Sequence, residues 1–327
     1  MDYLFLFFLS VILLFITSYI SKKFKIYDFV DKKKIHKENV SNIGGLALIP
    51  YVFLLFYFYD YNNEISLTLN LFLLVVIIGL VDDIKNINPQ TKILALLIPI
   101  YIFTKEVVVV KTLGSYEFFD LNLGSLSFIF TILCIFLLTN AYNYIDGMDG
   151  LIASNIIISL ITLYLLIETR ENILITLIIF LAVYFLFNTN LIKFLPKQFL
   201  GDSGSLAFGF ILSSFLIIFT QTNTYIHPSI IIWTVAFVVY EFLSINIIRI
   251  KLSKNIFERD LNFIFNLYLK KYSTTKTLIF CNLIHLFFCG ISFIVSFFKI
   301  YFFSLILFIL IFFVYLYFRF KQTNIKI

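Results

Sequence analysis

Five aspartates in three short polar segments carry the chemistry legible in this chain. Asp82 and Asp83 are adjacent in GLVDDIKNINPQTK, where a long apolar run ends, and Lys92 closes the same segment. Two neighbouring carboxylates at a helix end repel each other and lose solvation, which is tolerable where a cation or a proton sits between them. Taken alone, the pair also reads as solvated loop acids with Lys85 nearby.

In NAYNYIDGMDGL, residues 140–151, Asp146 and Asp149 are three apart and share a face if a helix starts there. Gly147 and Gly150 leave room for a ligand to approach the backbone. Asn140 and Asn143 add amide donors and acceptors suited to a base or a sugar. Helix capping needs one such residue, and this segment supplies four. In FLGDSGSLAFG, residues 199–209, glycines, serines and free backbone amides precede a helix N-terminus, a natural seat for phosphate. Asp202 in that setting is an oxygen ligand suited to magnesium, which binds through one or two carboxylates together with substrate phosphates. A capped turn is the plainer alternative. Asn188 ends the preceding apolar run at the same level. A fourth segment, Arg249 to Lys276, is basic, as are Lys33, Lys34, His36 and Lys37 in the first loop; anionic lipid head groups alone explain such charge. His227 and His285 are isolated. Cys134, Cys281 and Cys289 fall in apolar runs and read as packing thiols.

The elements that must position these residues are membrane helices. The chain has 327 residues, 61% hydrophobic and 13% charged, with mean hydropathy +0.99; an ordinary soluble domain has about half and about a quarter. Lipid satisfies no stray backbone polar group, and continuous rather than alternating apolar runs favour helices over a barrel. The pattern predicts an all-α polytopic membrane protein, one domain over residues 1–327. About eleven transmembrane helices are expected, near 3–20, 43–60, 66–82, 92–104, 125–142, 150–168, 173–190, 204–220, 228–250, 278–297 and 300–318. The first run has no basic n-region and no cleavage site, so it reads as a span and not as a cleaved signal. Residues 107–124 alternate about a Gly-Ser turn and predict a small external β-hairpin.

In this arrangement 21 of the 25 Lys and Arg residues fall on one side and four on the other. An excess of basic residues marks the cytoplasmic side, which puts the N-terminus outside and the C-terminus inside. Every polar segment then lies at the cytoplasmic mouth, although the basic count made no use of them.

The order and spacing of GLVDDIKN, NxxNxxDGxDGL, FxxN and FLGDSGS resembles the polyprenyl-phosphate N-acetylhexosamine-1-phosphate transferases, and the likeness runs from VDKKKIHKENVSNIGGLAL to the loop near Asp260. The branch making lipid-linked GlcNAc is the more similar one. The resemblance implies a magnesium-dependent enzyme, with manganese as a substitute, of the bacterial inner (plasma) membrane. It would transfer the sugar 1-phosphate of a UDP-N-acetylhexosamine to undecaprenyl phosphate and release UMP, as the first membrane step of a cell-envelope glycan pathway. Membrane lipid and a second copy in a homodimer are the further partners implied; nucleic acid is not one.

By resemblance, Asp82 and Asp83 are the catalytic acidic pair, Asp202 the magnesium ligand, and Asn143, Asp146 and Asp149 the uridine-nucleotide and catalytic loop. Phe199 would stack on uracil, Lys92 and Asn188 would lie near the diphosphate, and Lys37 with Gly44 and Gly45 would form the first cytoplasmic motif. The chain departs from the family in FERDLNFIFN, where Asp260 is kept and Phe263, Phe265 and Asn266 replace histidines. Glu241, Asn39, Ser41 and Leu96 are further departures. Two other classes fit parts of the pattern: a relative that binds nucleotide or lipid without turnover, and a secondary transporter, whose ion-coupling acids would sit at mid-bilayer.

Overall fold

The computed structural model describes residues 3–28, 39–222, 226–255 and 261–323. The chain runs through α1 (Tyr3–Phe24), the two-residue strands β1 (Tyr27–Asp28) and β2 (Val40–Ser41), and a 3-10 turn leading into α2 (Leu48–Phe58). Next come α3 (Asn63–Lys85), α4 (Pro89–Glu106), β3 (Thr112–Ser115), β4 (Asp120–Asn122), α5 (Ser127–Ile145), α6 (Leu151–Leu166), α7 (Asn172–Thr189) and α8 (Gly201–Gln221). The single turn α9 (Pro228–Ile231) continues through a 3-10 turn into α10 (Ala236–Lys251). Then follow the short α11 (Ile264–Leu269), α12 (Thr274–Phe298) and α13 (Tyr301–Gln322). Side-chain caps open α3 and α4: Asn62 Oδ1 takes Ile65 N–H at 2.8 Å, and Asn88 caps α4 just before Pro89.

The molecule is a polytopic helical bundle, but the expected count of eleven spans is not met. Among the described residues, eight helices are long and apolar enough to cross a membrane: α1, α3, α5, α7, α8, the α9–α10 run, α12 and α13. The other three expected spans coincide with α2, α4 and α6. Residues Gly44–Phe58 and Leu151–Leu166 are short for a span, and α4 carries Lys92, Lys105 and Glu106 within its 18 residues.

At the centre lies α8, with every residue from Ser203 to Thr220 buried. Its small residues explain that position, because without a hydrophobic force between helices in lipid, close backbone approach drives association. A Cβ on Gly209 would meet Thr139 Cα of α5 at 2.7 Å, and one on Gly79 of α3 would strike the backbone of Asp202 and Ser203. By contrast α13, at the periphery, buries only Ser304, Arg319 and Phe320.

The two ends of α8, about 30 Å apart by helix rise, do different work. At the Gln221 end sits the expected hairpin, β3 paired antiparallel with β4. Gln221 Oε1 accepts Lys111 N–H at 3.0 Å and its Nε2 donates to Thr112 O at 2.9 Å. His227 completes that clasp. Its Nε2 faces Ser115 O at 3.2 Å, so this nitrogen carries the hydrogen, while Nδ1 meets Ser229 and the ring stacks on Tyr301 with centroids 4.0 Å apart. Burial pushes its pKa below the usual imidazole value. The Gly201 end gathers the polar segments. There a second small sheet, β1 with β2, was not anticipated, and Ser41 bridges in parallel to Gln198.

Candidate active site

The site is built where α3 and α8 touch. Asp83 sits in the last turn of α3 and reaches the exposed amides that open α8. Its Oδ1 accepts the backbone N–H of Asp202 at 2.7 Å and its Oδ2 that of Ser203 at 3.0 Å, while Asn42 Nδ2 donates to Oδ1 at 3.2 Å. A carboxylate from one helix thus caps another, satisfying orphan donors and complementing the positive end of the dipole. Gly201 makes the turn with φ +75°, and a Cβ there would collide with both Asn42 O and Asp83 Oδ2. Backbone bonds Gly44 N–H to Phe199 O (3.0 Å), Gly45 N–H to Leu200 O (2.8 Å) and Phe199 N–H to Ser41 O (2.7 Å) lay residues 41–45 along the approach to α8.

One cation gathers the neighbouring acids. Lys92, in the first turn of α4, directs its ammonium at Asp82 Oδ2 (2.9 Å) and forms a very short pair with Asp202 Oδ2. Asp82 Oδ1 accepts Ile87 N–H at 2.8 Å, which fixes the turn from α3 into α4, where Asn86 takes φ +49°. Asn143, near the end of α5, donates Nδ2 to Asp202 Oδ1 (3.0 Å) and to Ser205 Oγ (2.9 Å). Asp82, Asp202, Lys92 and Asn143, from four helices, therefore form one connected group around the start of α8.

The second acidic pair belongs to the α5–α6 junction. Asp146 ends α5, Gly150 (φ +78°) opens α6, and both aspartates are half-buried. Asp149 Oδ2 pairs with Lys197 Nζ at 2.5 Å, and that ammonium lies 5.5 Å from the centre of the Phe199 ring. Asn188 locks the junction to the loop before α8: its Oδ1 accepts Gly150 N–H at 2.5 Å and its Nδ2 donates to Gln198 O at 3.1 Å. Asn143 stands one turn before Asp146, so the two acidic groups share the end of α5. Asn140 does not join them; its amide donates to Phe136 O of its own helix.

The structure thus brings Asp82, Asp83, Lys92, Asn143, Asp146, Asp149, Asn188, Phe199 and Asp202 to one end of the bundle. Lys37 and Asp260 lie outside the described residues. Sequence reasoning missed Lys197, which it counted only as loop charge, and Asn42. The signal for Lys197 was its place just before FLGDSGS.

Two of the three residues that replace histidines are core, while Asn266 is partly exposed. Phe263 and Phe265 are buried and stacked with centroids 5.4 Å apart. A Cβ on Gly147 would meet the Phe265 ring at 2.8 Å, and Arg249 lies over both Tyr144 and Phe263. Glu241 anchors the same segment: it is fully buried, accepts Ile264 N–H at 2.6 Å and Tyr315 O–H at 2.7 Å, and binds Arg319 through both oxygens at 2.9 and 3.0 Å. Arg319, counted from sequence as cytoplasmic loop charge, is therefore a buried partner.

For a metal ion, no group of three or more His, Cys, Asp or Glu residues is suitably placed among the described residues. Two carboxylates, Asp82 and Asp202, do converge on the single positive charge of Lys92. Hard oxygen donors in that number suit magnesium, whose remaining positions are commonly filled by water and substrate phosphate.

Residues 65–220 match the family model of glycosyl transferase family 4, a segment that contains Asp82, Asp83, Lys92, Asn143, Asp146, Asp149, Asn188, Phe199 and Asp202. The chain is 25% identical over 286 residues to undecaprenyl-phosphate alpha-N-acetylglucosaminyl 1-phosphate transferase of Yersinia pestis, covering 84% of this chain and 77% of that one. The protein of that name in Escherichia coli strain K12 is 25% identical over 287 residues, with the same coverage. That of Salmonella typhi is 24% identical over 282 residues, covering 83% of this chain and 76% of its own. The resemblance read from the motifs is borne out by these homologues.

Proposed function

We propose that this homologue of the undecaprenyl-phosphate N-acetylglucosaminyl 1-phosphate transferases transfers an N-acetylhexosamine 1-phosphate from its UDP derivative to undecaprenyl phosphate. The observation that carries this reading is the convergence of Asp82, Lys92, Asn143 and Asp202 at the N-terminus of α8. There a cation, an amide side chain and carboxylates from four helix ends meet, a set of groups suited to phosphate chemistry. The basic count supports a cytoplasmic mouth.

A lipid phosphate oxygen would form a bond to the β-phosphorus as the bond to the bridging oxygen breaks, and that electron pair leaves with UMP. The attacking monoester has a second pKa of about 6 and is largely a dianion at neutral pH, so its own charge supplies the nucleophile. The difficulty is bringing anions together. Lys92 and Lys197 supply positive charge. Asp202, with Asp82, would hold magnesium, which when bound neutralises phosphate charge and polarises phosphoryl oxygens. Asp83 has both oxygens on amide donors; its role is to position Asp202. Asn143 orients the Asp202 carboxylate, and Phe199 offers a ring for the base. A site at helix ends also serves an acceptor whose chain stays in hydrocarbon while its phosphate meets a soluble nucleotide.

The test is transfer of radiolabelled sugar phosphate into the butanol-extractable lipid fraction by purified protein, magnesium, undecaprenyl phosphate and a panel of UDP-N-acetylhexosamines. Labelled lipid with one donor supports the reading and names the sugar. None with any donor, from folded protein, contradicts it.

A further inference from the structure

Outside the site, on the outer side of the loop before α8, lies a groove of about 360 Å³. Phe15, Ser18, Tyr19 and Lys22 of α1 form one wall, and residues 193–196, with Lys193 and Phe194, form the other. We propose that this groove binds the headgroup of an anionic glycerophospholipid from the surrounding bilayer, with its chains along Phe15 and Tyr19.

Three observations point to that occupant. Lys22 and Lys193 approach from opposite walls, and among the described residues no carboxylate lies within ion-pair distance of either. Phe194 is 79% exposed and Tyr19 66% exposed beside them, an arrangement of cations and aromatic rings suited to the level of lipid head groups. The walls are also fixed to each other: Gln198 Nε2 donates to Thr17 Oγ1 at 2.8 Å, and Phe15 packs edge-on against Phe187 of α7.

The groove is distinct from the proposed reaction centre. Lys193 faces outward into it, whereas Lys197, one turn of chain further on, is turned inward to Asp149. A phospholipid seated there would restrain the loop that carries Lys197, Gln198 and Phe199, and it need not leave during turnover.

Native mass spectrometry of the full chain, released from detergent with defined phosphatidylglycerol or phosphatidylcholine, tests the proposal. Phosphatidylglycerol is expected to be retained in preference to phosphatidylcholine. The Lys22→Gln/Lys193→Gln double variant should bind it about tenfold more weakly, while Lys270→Gln/Lys271→Gln, equal in charge loss, keeps it. Phe194→Ala, which leaves the charge intact, should weaken retention as well. Equal retention by the Lys22/Lys193 variant, equal binding of phosphatidylcholine, or one-for-one displacement by undecaprenyl phosphate would each overturn it, the last by giving the groove to the acceptor.

Discussion

Asp83 Oδ1 accepts the backbone N–H of Asp202 at 2.7 Å, so a side chain at the end of α3 sets where the first turn of α8 begins. The two aspartates thereby divide the work. Asp83 holds the helix, and Asp202, half-exposed above it, meets Lys92 and Asn143. Replacing Asp83 by Asn keeps the size but turns donor hydrogens toward the amides of Asp202 and Ser203. Asp83→Asn should cost about 1–3 kcal/mol, read as a lower melting temperature in detergent, and should lower kcat together with stability. Asp202→Asn should leave the melting temperature nearly unchanged.

Lys92 is the charge that permits Asp82 and Asp202 to approach. Lys92→Met leaves two carboxylates facing each other and should lower stability by about 1.5–3 kcal/mol. Adding Asp82→Asn should restore part of that stability without restoring turnover. A thermal melt and a transfer assay on the same three preparations separate the two effects.

Glu241 and Arg319 form a buried ion pair that fastens α10 to α13 and holds the segment bearing Phe263 and Phe265. Breaking such a pair from one side costs about 3–5 kcal/mol, because the other charge stays buried and unpaired. Glu241→Leu and Arg319→Leu should each melt well below the parent protein, and the double variant should recover only part of the loss, because the Ile264 amide and the Tyr315 hydroxyl still lack their acceptor.

The site was far more legible in the sequence than these supports. GLVDDIKN, NxxNxxDGxDGL and FLGDSGS announce themselves because polar residues interrupt apolar runs, and alternation of span direction brings them to one end. Counting basic residues could not show that Arg319 is buried, since its partner Glu241 lies 78 residues away in the chain. Nor could motif spacing show that Asp83 caps α8, a relation that depends on Gly79 letting two backbones meet. Three of the eleven expected spans fall outside the eight for local reasons: α2 and α6 are short, and α4 carries charge near both ends.

Magnesium removal gives a further prediction. EDTA should abolish transfer, and added magnesium should restore it, manganese less fully. Nucleotide binding measured by calorimetry without metal should persist at reduced affinity, because the Phe199 ring and the Lys197 charge do not depend on the metal.

The central claim is that Asp202 at the head of α8 serves phosphoryl transfer to a lipid phosphate. It is tested most directly by following UMP release from UDP-N-acetylhexosamine with the parent protein and Asp202→Asn, each with and without undecaprenyl phosphate. UMP that appears only with the lipid acceptor, and falls at least about a hundredfold in Asp202→Asn while the variant melts like the parent, is the predicted result. UMP release that ignores the acceptor, or survives intact in Asp202→Asn, would contradict the account.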